Sequence, residues 1–216
     1  MAGTKQFLTF SQQVEYLKSE KEIAVSDDQF AEEILQRIGY FALMGGYKEL
    51  FRIPFTKKYK TGTSFDEIVA LYQFDAELRE LFLKYLLQIE RHIGNLIAHY
   101  FVEAHGISQA EYMNPNNYNN SPRNRKIISG LLRKLHGAVT TTDYAHVYYY
   151  RTKYGNIPLW ITTNVLTFGS LSKMYNVLEQ SLRSKICRHF SNVNQRQLER
   201  FLSVLTKYRN VCAVDL

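Results

Sequence analysis

The chain has 216 residues, 45% hydrophobic and 22% charged, the balance of an ordinary soluble globular protein with a sizeable core. No stretch approaches the apolar length of a membrane span and no basic region precedes an apolar one at the N-terminus, so membrane insertion and secretion are not expected and the compartment reads as cytoplasmic. The two cysteines, Cys187 and Cys212, lack metal-type spacing, which excludes a disulfide framework and argues against zinc; one domain over 1–216 is the default.

In chain order, Ser11 is placed to cap a first helix running to about Lys21. Ser26-Asp27-Asp28-Gln29 has the capping-box pattern for a second, whose run ILQRIGYFALM is interrupted by Gly39. Gly45-Gly46 marks a bend or a close backbone approach. The segment from Ile53 to Thr63, with Pro54, Gly62 and a lysine cluster, reads as a surface loop with a short extended piece, either a solvated turn or a phosphate contact. Ser64-Phe65-Asp66-Glu67 is another capping box. After it Leu78, Phe82, Tyr85, Ile89, Ile93, Leu96 and Tyr100 step by four and three residues without a proline, which predicts a long helix ending near Gly106.

The Asn-rich stretch MNPNNYNNSPRNR has the composition of a loop. Helices follow from Arg125 to about His136 and from Asp143 to about Lys153. Pro158 begins a helix LWITTNVLTF, Gly169-Ser170 breaks it, and Ser191 to Asn194 separates SLRSKICRHF from a final amphipathic helix. No strand alternation and no internal repeat is present. The expected fold is therefore all-α, a compact helical bundle around the long central helix.

Charge divides the chain unevenly. Residues 1–110 hold 12 Lys/Arg against 15 Asp/Glu, whereas residues 111–216 hold 15 against 5. The basic half reads either as a solvated surface or as a face that retains a polyanion through salt-sensitive phosphate contacts. Within it HVYYYRTKYGNIPLW interleaves aromatics with Arg151 and Lys153, the composition used to stack single-stranded RNA, although helical aromatics also serve as core. Arg91 and Arg188 join Arg151 and Lys153 as candidate RNA contacts.

In the final helix Leu198, Phe201, Leu202, Leu205, Tyr208 and Cys212 form one apolar stripe, and Arg209 falls inside it. Burying a guanidinium is costly without a partner, so the position points to a carboxylate or phosphate; the alternative is an arginine at the stripe's edge that reaches water. On the long helix His92 and His99 lie within roughly 20° of one another, with Asn95 on an adjoining row. Packed near Arg209 they would bring titratable imidazoles to it; as structural residues they would flank a packed stripe. Glu90 is placed to pair with Arg209 or Arg188. No glycine-rich phosphate loop, dinucleotide fingerprint or nucleophile elbow is present, so no cofactor, no nucleotide and no Ser-His-Asp chemistry is expected.

The stretches RIGYFALMGGYKELF (37–51), YKTGTSFDEIVALYQFDAELRELFLKYLLQIERHI (59–93) and LWITTNVLTFGSLSKMY (159–175), closing on YRNVCA, resemble the Abi-like abortive-infection family of bacteria, of the AbiD/AbiF type, over nearly the whole chain. That family resembles the HEPN superfamily of helical proteins, many of which cut RNA without a metal. The resemblance implies a phage-defence role, an RNA partner, composite sites made by pairing two copies, and a motif that approximates Arg-Asn-x-Cys-Ala-His. Arg209 and Asn210 match its catalytic start and Cys212-Ala213 its continuation, with Arg209 implied to hold the scissile phosphate and Asn210 to orient the site. Position 214 is Val where the family pattern has His. Three readings follow: the natural chain departs from this one after about residue 213, the protein binds RNA without cutting it, or His92 or His99 supplies the missing imidazole. A rival reading makes the chain a protein-interaction module whose basic face meets an acidic partner.

Overall fold

A computed structural model describes residues 6–213, and within them every regular element is helical. α1 (Phe10–Ser19), α2 (Asp28–Ile38), a π-helical turn (Phe41–Gly45) and α3 (Gly46–Phe51) lead to α4 (Phe65–His105), the long central helix of 41 residues. There follow α5 (Gln109–Met113), α6 (Arg125–Thr140), α7 (Ala145–Tyr154), α8 (Leu159–Thr162), α9 (Phe168–Val177), α10 (Gln180–Cys187) and α11 (Gln195–Cys212), with short 3-10 turns at Pro115–Asn117 and Thr163–Val165. The all-α expectation holds.

The contacts fall into two units that divide within α4, one up to Glu80 and one from Leu81 onward. The first unit buries Val14 and Leu17 of α1, Ala31, Ile34 and Leu35 of α2, and Leu43 and Met44 of the π turn against Phe65, Ile68 and Val69 at the start of α4. The second is built on Ile93, Ile97 and Phe101 of α4, with α9 between α6 and α11; Phe168, Leu171, Met174 and Tyr175 of α9 are all buried. Both cysteines are buried and free.

Caps account for most helix boundaries. Ser64 and Glu67 close the reciprocal box that begins α4, with the Glu67 amide donating to Ser64 Oγ at 3.2 Å and the Ser64 amide to Glu67 Oε2 at 3.1 Å. Asn194 and Gln197 do the same for α11. Elsewhere the caps sit one or two residues away from those read in the sequence. Thr9, not Ser11, caps α1, and Ser11 instead donates to Glu32 at 2.6 Å. Asp27, not Ser26, caps α2, leaving Ser26 to donate to Asp66 at 2.8 Å. Thr167 caps α9, so Gly169 lies inside a helix rather than between two. The Gly45-Gly46 pair makes no bend either, because the chain passes from π turn to α3 in helical geometry at both glycines. The Asn-rich stretch is more than a loop: Tyr118 within it is buried, and its hydroxyl donates to the Tyr112 carbonyl at 2.7 Å.

Candidate functional site

Helix geometry decides what α11 offers. Measured from Arg209, residues 198, 202 and 205 lie within about 40°, and these are the positions that pack inward. Leu198 and Leu202 are buried and Leu205 is half-buried, so Arg209 stands in the core-facing line. The stripe is narrower than the sequence pattern drew it. Phe201 and Tyr208 are 48% and 57% exposed and form, with Val204 and Val211, a separate apolar flank turned outward. Arg196, Arg200 and Lys207 occupy the remaining side and are exposed.

Opposite Arg209 the site is completed by α4 and by the 3-10 turn that precedes α9. Two glycines lie where these elements meet. A methyl at Gly94 would stand 3.4 Å from Leu171 Cδ1 and 3.7 Å from Thr163 Cβ, and one at Gly169 would stand 3.3 Å from Thr206 Cγ2. A methyl at Gly94 would just fit between α4, α9 and the turn, whereas the bare backbone of Gly169 lets α9 lie tightly on α11. The result is a cleft of about 370 Å³ lined on its polar side by Glu90, Arg91, Asn95, Asn164, Thr167 and Arg209.

Arg209 Nε donates to Glu90 Oε2 at 3.3 Å. The side chains keep 33% and 14% of their exposure, so the carboxylate is the more deeply placed partner. A well-formed charge-assisted bond is closer to about 2.8 Å, and arginine pairs most strongly when two nitrogens engage one carboxylate. This pair is long and single-pointed. The guanidinium is held at the cleft but not saturated, and two oxygens of an entering phosphate can take the bidentate position the carboxylate does not fill.

The other sequence candidates divide around this cleft. Arg91 lines it, as does Asn95. Asn210 is exposed and lies about 100° around the helix from Arg209, outside the lining. His92 and His99 are not brought to Arg209. From Glu90 they are two and nine residues on, which places both about 160–180° away, on the opposite face of α4. There the His92 ring packs against His189 and Phe190 at centroid distances of 6.4 and 5.5 Å, His99 against Tyr100 at 5.0 Å, and Tyr100 Oη shares a 2.7 Å hydrogen bond with His189 Nε2. Glu90 cannot pair with Arg209 while those histidines also face it, so the sequence itself held the choice. Position 214 lies outside the described residues.

Arg151 is engaged elsewhere: its Nη1 donates to the Val139 carbonyl at 2.9 Å and the Thr141 carbonyl at 3.4 Å, closing the C-terminus of α6. Lys153 is exposed and donates to Tyr149 Oη at 2.6 Å, the contact that chiefly raises its pKa, and its Nζ also lies over the Tyr154 ring. Arg188 is exposed at the end of α10. The tyrosines of α7 divide: Tyr150 packs against the core, whereas Tyr148, Tyr149 and Tyr154 are about half exposed. Sequence reasoning missed Asn164 and Tyr144. Tyr144 lines the cleft just before α7, and Tyr148 and Arg151 follow it at four and seven residues, on one side of that helix. No spacing rule marks Asn164, which reaches the cleft from the middle of the 3-10 turn Thr163–Val165.

Among the described residues no group of three or more His, Cys, Asp or Glu side chains is arranged to hold a metal ion, and no helix is long and apolar enough to cross a membrane. In comparison with known proteins, the model of the family described as Abi-like protein matches residues 33–213, a span that contains every residue of the cleft. Neither the curated proteins nor the solved structures contain a match.

Proposed function

The chain belongs to the Abi-like protein family, which supports a role in abortive infection, a bacterial defence against phage, and from the cleft we propose that it performs this role by engaging RNA at Arg209. The observation that carries the reading is the Arg209–Glu90 pair: a cation placed on a core-facing line, held by one long contact, at the mouth of an open polar cleft. A phosphate takes Arg209 in exchange for Glu90, Arg91 adds a second charge, and Asn95 and Asn164 offer amides to a sugar or base. Tyr144 and the exposed tyrosines of α7 continue the path as stacking surfaces, and the basic composition of residues 111–216 supplies the attracting field.

Metal-independent cleavage belongs to the same proposal, together with the HEPN-like character of the helical domain. In that reaction a 2′-oxygen attacks the adjoining phosphorus, the bond to the 5′-oxygen breaks, and protons leave the first and reach the second. Arg209 would neutralise the non-bridging oxygens. Glu90, released from Arg209, is the carboxylate within the cleft that takes the 2′-hydroxyl proton; His92 and His99 act only on RNA that crosses the other face of α4. Pairing of two copies is also part of this reading, and sedimentation of the protein tests it.

The protein-interaction reading is favoured by the same ion pair, taken as purely structural. RNA binding separates the two. Fluorescence anisotropy with single-stranded and hairpin RNA should show binding whose affinity falls steeply between about 50 and 200 mM salt. Absence of binding at the low-salt end contradicts the proposal and favours the rival.

A further inference from the structure

The first unit contains a second and larger cleft, of about 780 Å³, within the size range of roughly 300–1,000 Å³ that small-molecule sites occupy. We infer that this cleft binds a nucleoside phosphate, with the base against Tyr16, Tyr40 and Phe41 and the phosphate on Lys21, Lys48 and Arg52. The inference is independent of the Arg209 reading, since no residue is shared between the two clefts.

Three observations converge on it. First, the lining combines aromatic rings with cations and contains no carboxylate. This is not the field of the surrounding chain, because residues 1–80 hold 10 Lys/Arg against 13 Asp/Glu. Three cations gathered in an acidic unit repel one another and are relieved by an anion. Arg52 is paired with the exposed Glu49 through one contact of 3.5 Å from its Nη1, a distance that neutralises little.

Second, the rings are presented rather than packed away. Tyr16 and Tyr40 stand 6.5 Å apart with their planes inclined at 58°, and Phe41 is 85% exposed at the rim. A phenylalanine left in water beside two half-buried tyrosines forgoes the burial it would gain in a core, and a flat base laid on it restores that burial. Phe41 opens the π-helical turn, whose added residue per turn widens the backbone here; such turns recur at functional sites.

Third, two polar atoms of lining residues are shut from solvent without a hydrogen-bond partner among the described residues, Gln13 Oε1 and Arg52 Nε. The Gln13 amide is already oriented, because its Nε2 donates to the Leu8 carbonyl at 3.0 Å, which leaves Oε1 as an unused acceptor. A small turn of either side chain toward the cleft would give the unmet acceptor a base amino group and the unmet donor a phosphate oxygen. Side chains from α1, the π turn, α3 and the residues that flank them build this cradle rather than a glycine-rich loop, which is why no nucleotide motif marks it in the sequence. Gln13, Tyr16 and Lys21 also precede the span that the family match covers.

Two sources present this chemistry, a free nucleotide and the 5′-terminal nucleotide of an RNA. Isothermal titration of the full chain with AMP, CMP, GMP and UMP should give at least one dissociation constant below roughly 1 mM, with inorganic phosphate and the parent nucleosides at least about tenfold weaker. Phe41→Ala and Lys48→Glu alter side chains at the rim, so both variants should melt like the parent chain while each weakens nucleotide binding roughly fivefold or more. Arg209→Ala should leave this binding unchanged. A 5′-phosphorylated oligoribonucleotide that competes at lower concentration than the free nucleotide, while its 5′-hydroxyl counterpart does not, assigns the source as an RNA end; the reverse order assigns a free nucleotide. Binding of no nucleotide, nucleotides bound no better than phosphate, or parental affinity in both rim variants would overturn the inference. Loss of binding in Arg209→Ala would overturn it too, by moving the nucleotide to the other cleft.

Discussion

The two clefts handle cationic charge in opposite ways. In the second unit Arg209 is held by Glu90, so its own charge is balanced until an anion displaces the carboxylate, with Arg91 as a further cation in the lining. In the first unit Lys21, Lys48 and Arg52 line a cleft without a carboxylate in its walls, and the long 3.5 Å contact from exposed Glu49 to Arg52 balances the charge only in part. A paired arginine suits a site in which the ligand must compete for its place, and it discriminates against weak anions. A loosely balanced cluster suits capture of a small, highly charged ligand. The two designs leave different traces in mutants, and that difference can be measured.

The largest effect is expected from Arg209→Ala, which removes the phosphate contact and leaves Glu90 unpaired at 14% exposure. RNA affinity should fall at least about tenfold, and the slope of log affinity against log salt should shrink by about one. Chemical denaturation should show a loss of only about 1 kcal/mol, since the guanidinium is one-third exposed and its pairing is screened. Next in size is Gly94→Val. Its methyl groups meet Leu171 and Thr163 where even a single carbon stands at 3.4 Å, so the second unit should lose about 1–3 kcal/mol and the Arg209 cleft its shape. Nucleotide binding by the first cleft should survive that change, read by titration below the melting transition.

A smaller change is expected from Asn194→Ala. It removes the side-chain half of the reciprocal box that starts α11 and should cost about 1 kcal/mol by denaturant titration. Smallest of all is the paired change His92→Ala and His99→Ala. RNA affinity at the Arg209 cleft should stay within about twofold of the parent, because both rings lie across α4 from Glu90. A tenfold loss would show that RNA crosses that face as well and would dissolve the contrast between one RNA cleft and one nucleotide cleft.

How much of this was legible beforehand depends on how local each feature is. The start of α4 is a four-residue pattern, and Ser64 and Glu67 form the box that pattern predicts. At α1 and α2 adjacent polar residues compete for the capping position, and the losers, Ser11 and Ser26, are engaged by Glu32 and Asp66 across the fold, which no local pattern foretells. Arg209 was legible because one helix's periodicity exposes an out-of-place charge. Its partner Glu90 was legible as one of the options; the face of α4 follows from counting 100° per residue once Glu90 is chosen. Tyr118 sat unnoticed in an Asn-rich stretch because composition describes a segment's average and burial is decided residue by residue. The nucleotide cleft left no mark at all. Its lining is gathered from residues between Gln6 and Tyr59 by tertiary packing, and no spacing connects Gln13 with Arg52.

The central claim is that the Glu90 carboxylate is a competitor that RNA displaces from Arg209, and the direct measurement is the RNA affinity of Glu90→Gln beside that of Arg209→Ala at one low salt concentration. Freed of the competing charge, Arg209 should bind RNA roughly two- to fivefold more tightly in Glu90→Gln, while Arg209→Ala moves at least tenfold in the opposite direction. Equal losses of folding stability in the two variants, with RNA affinity unchanged in both, would contradict the claim and make the pair a structural strut.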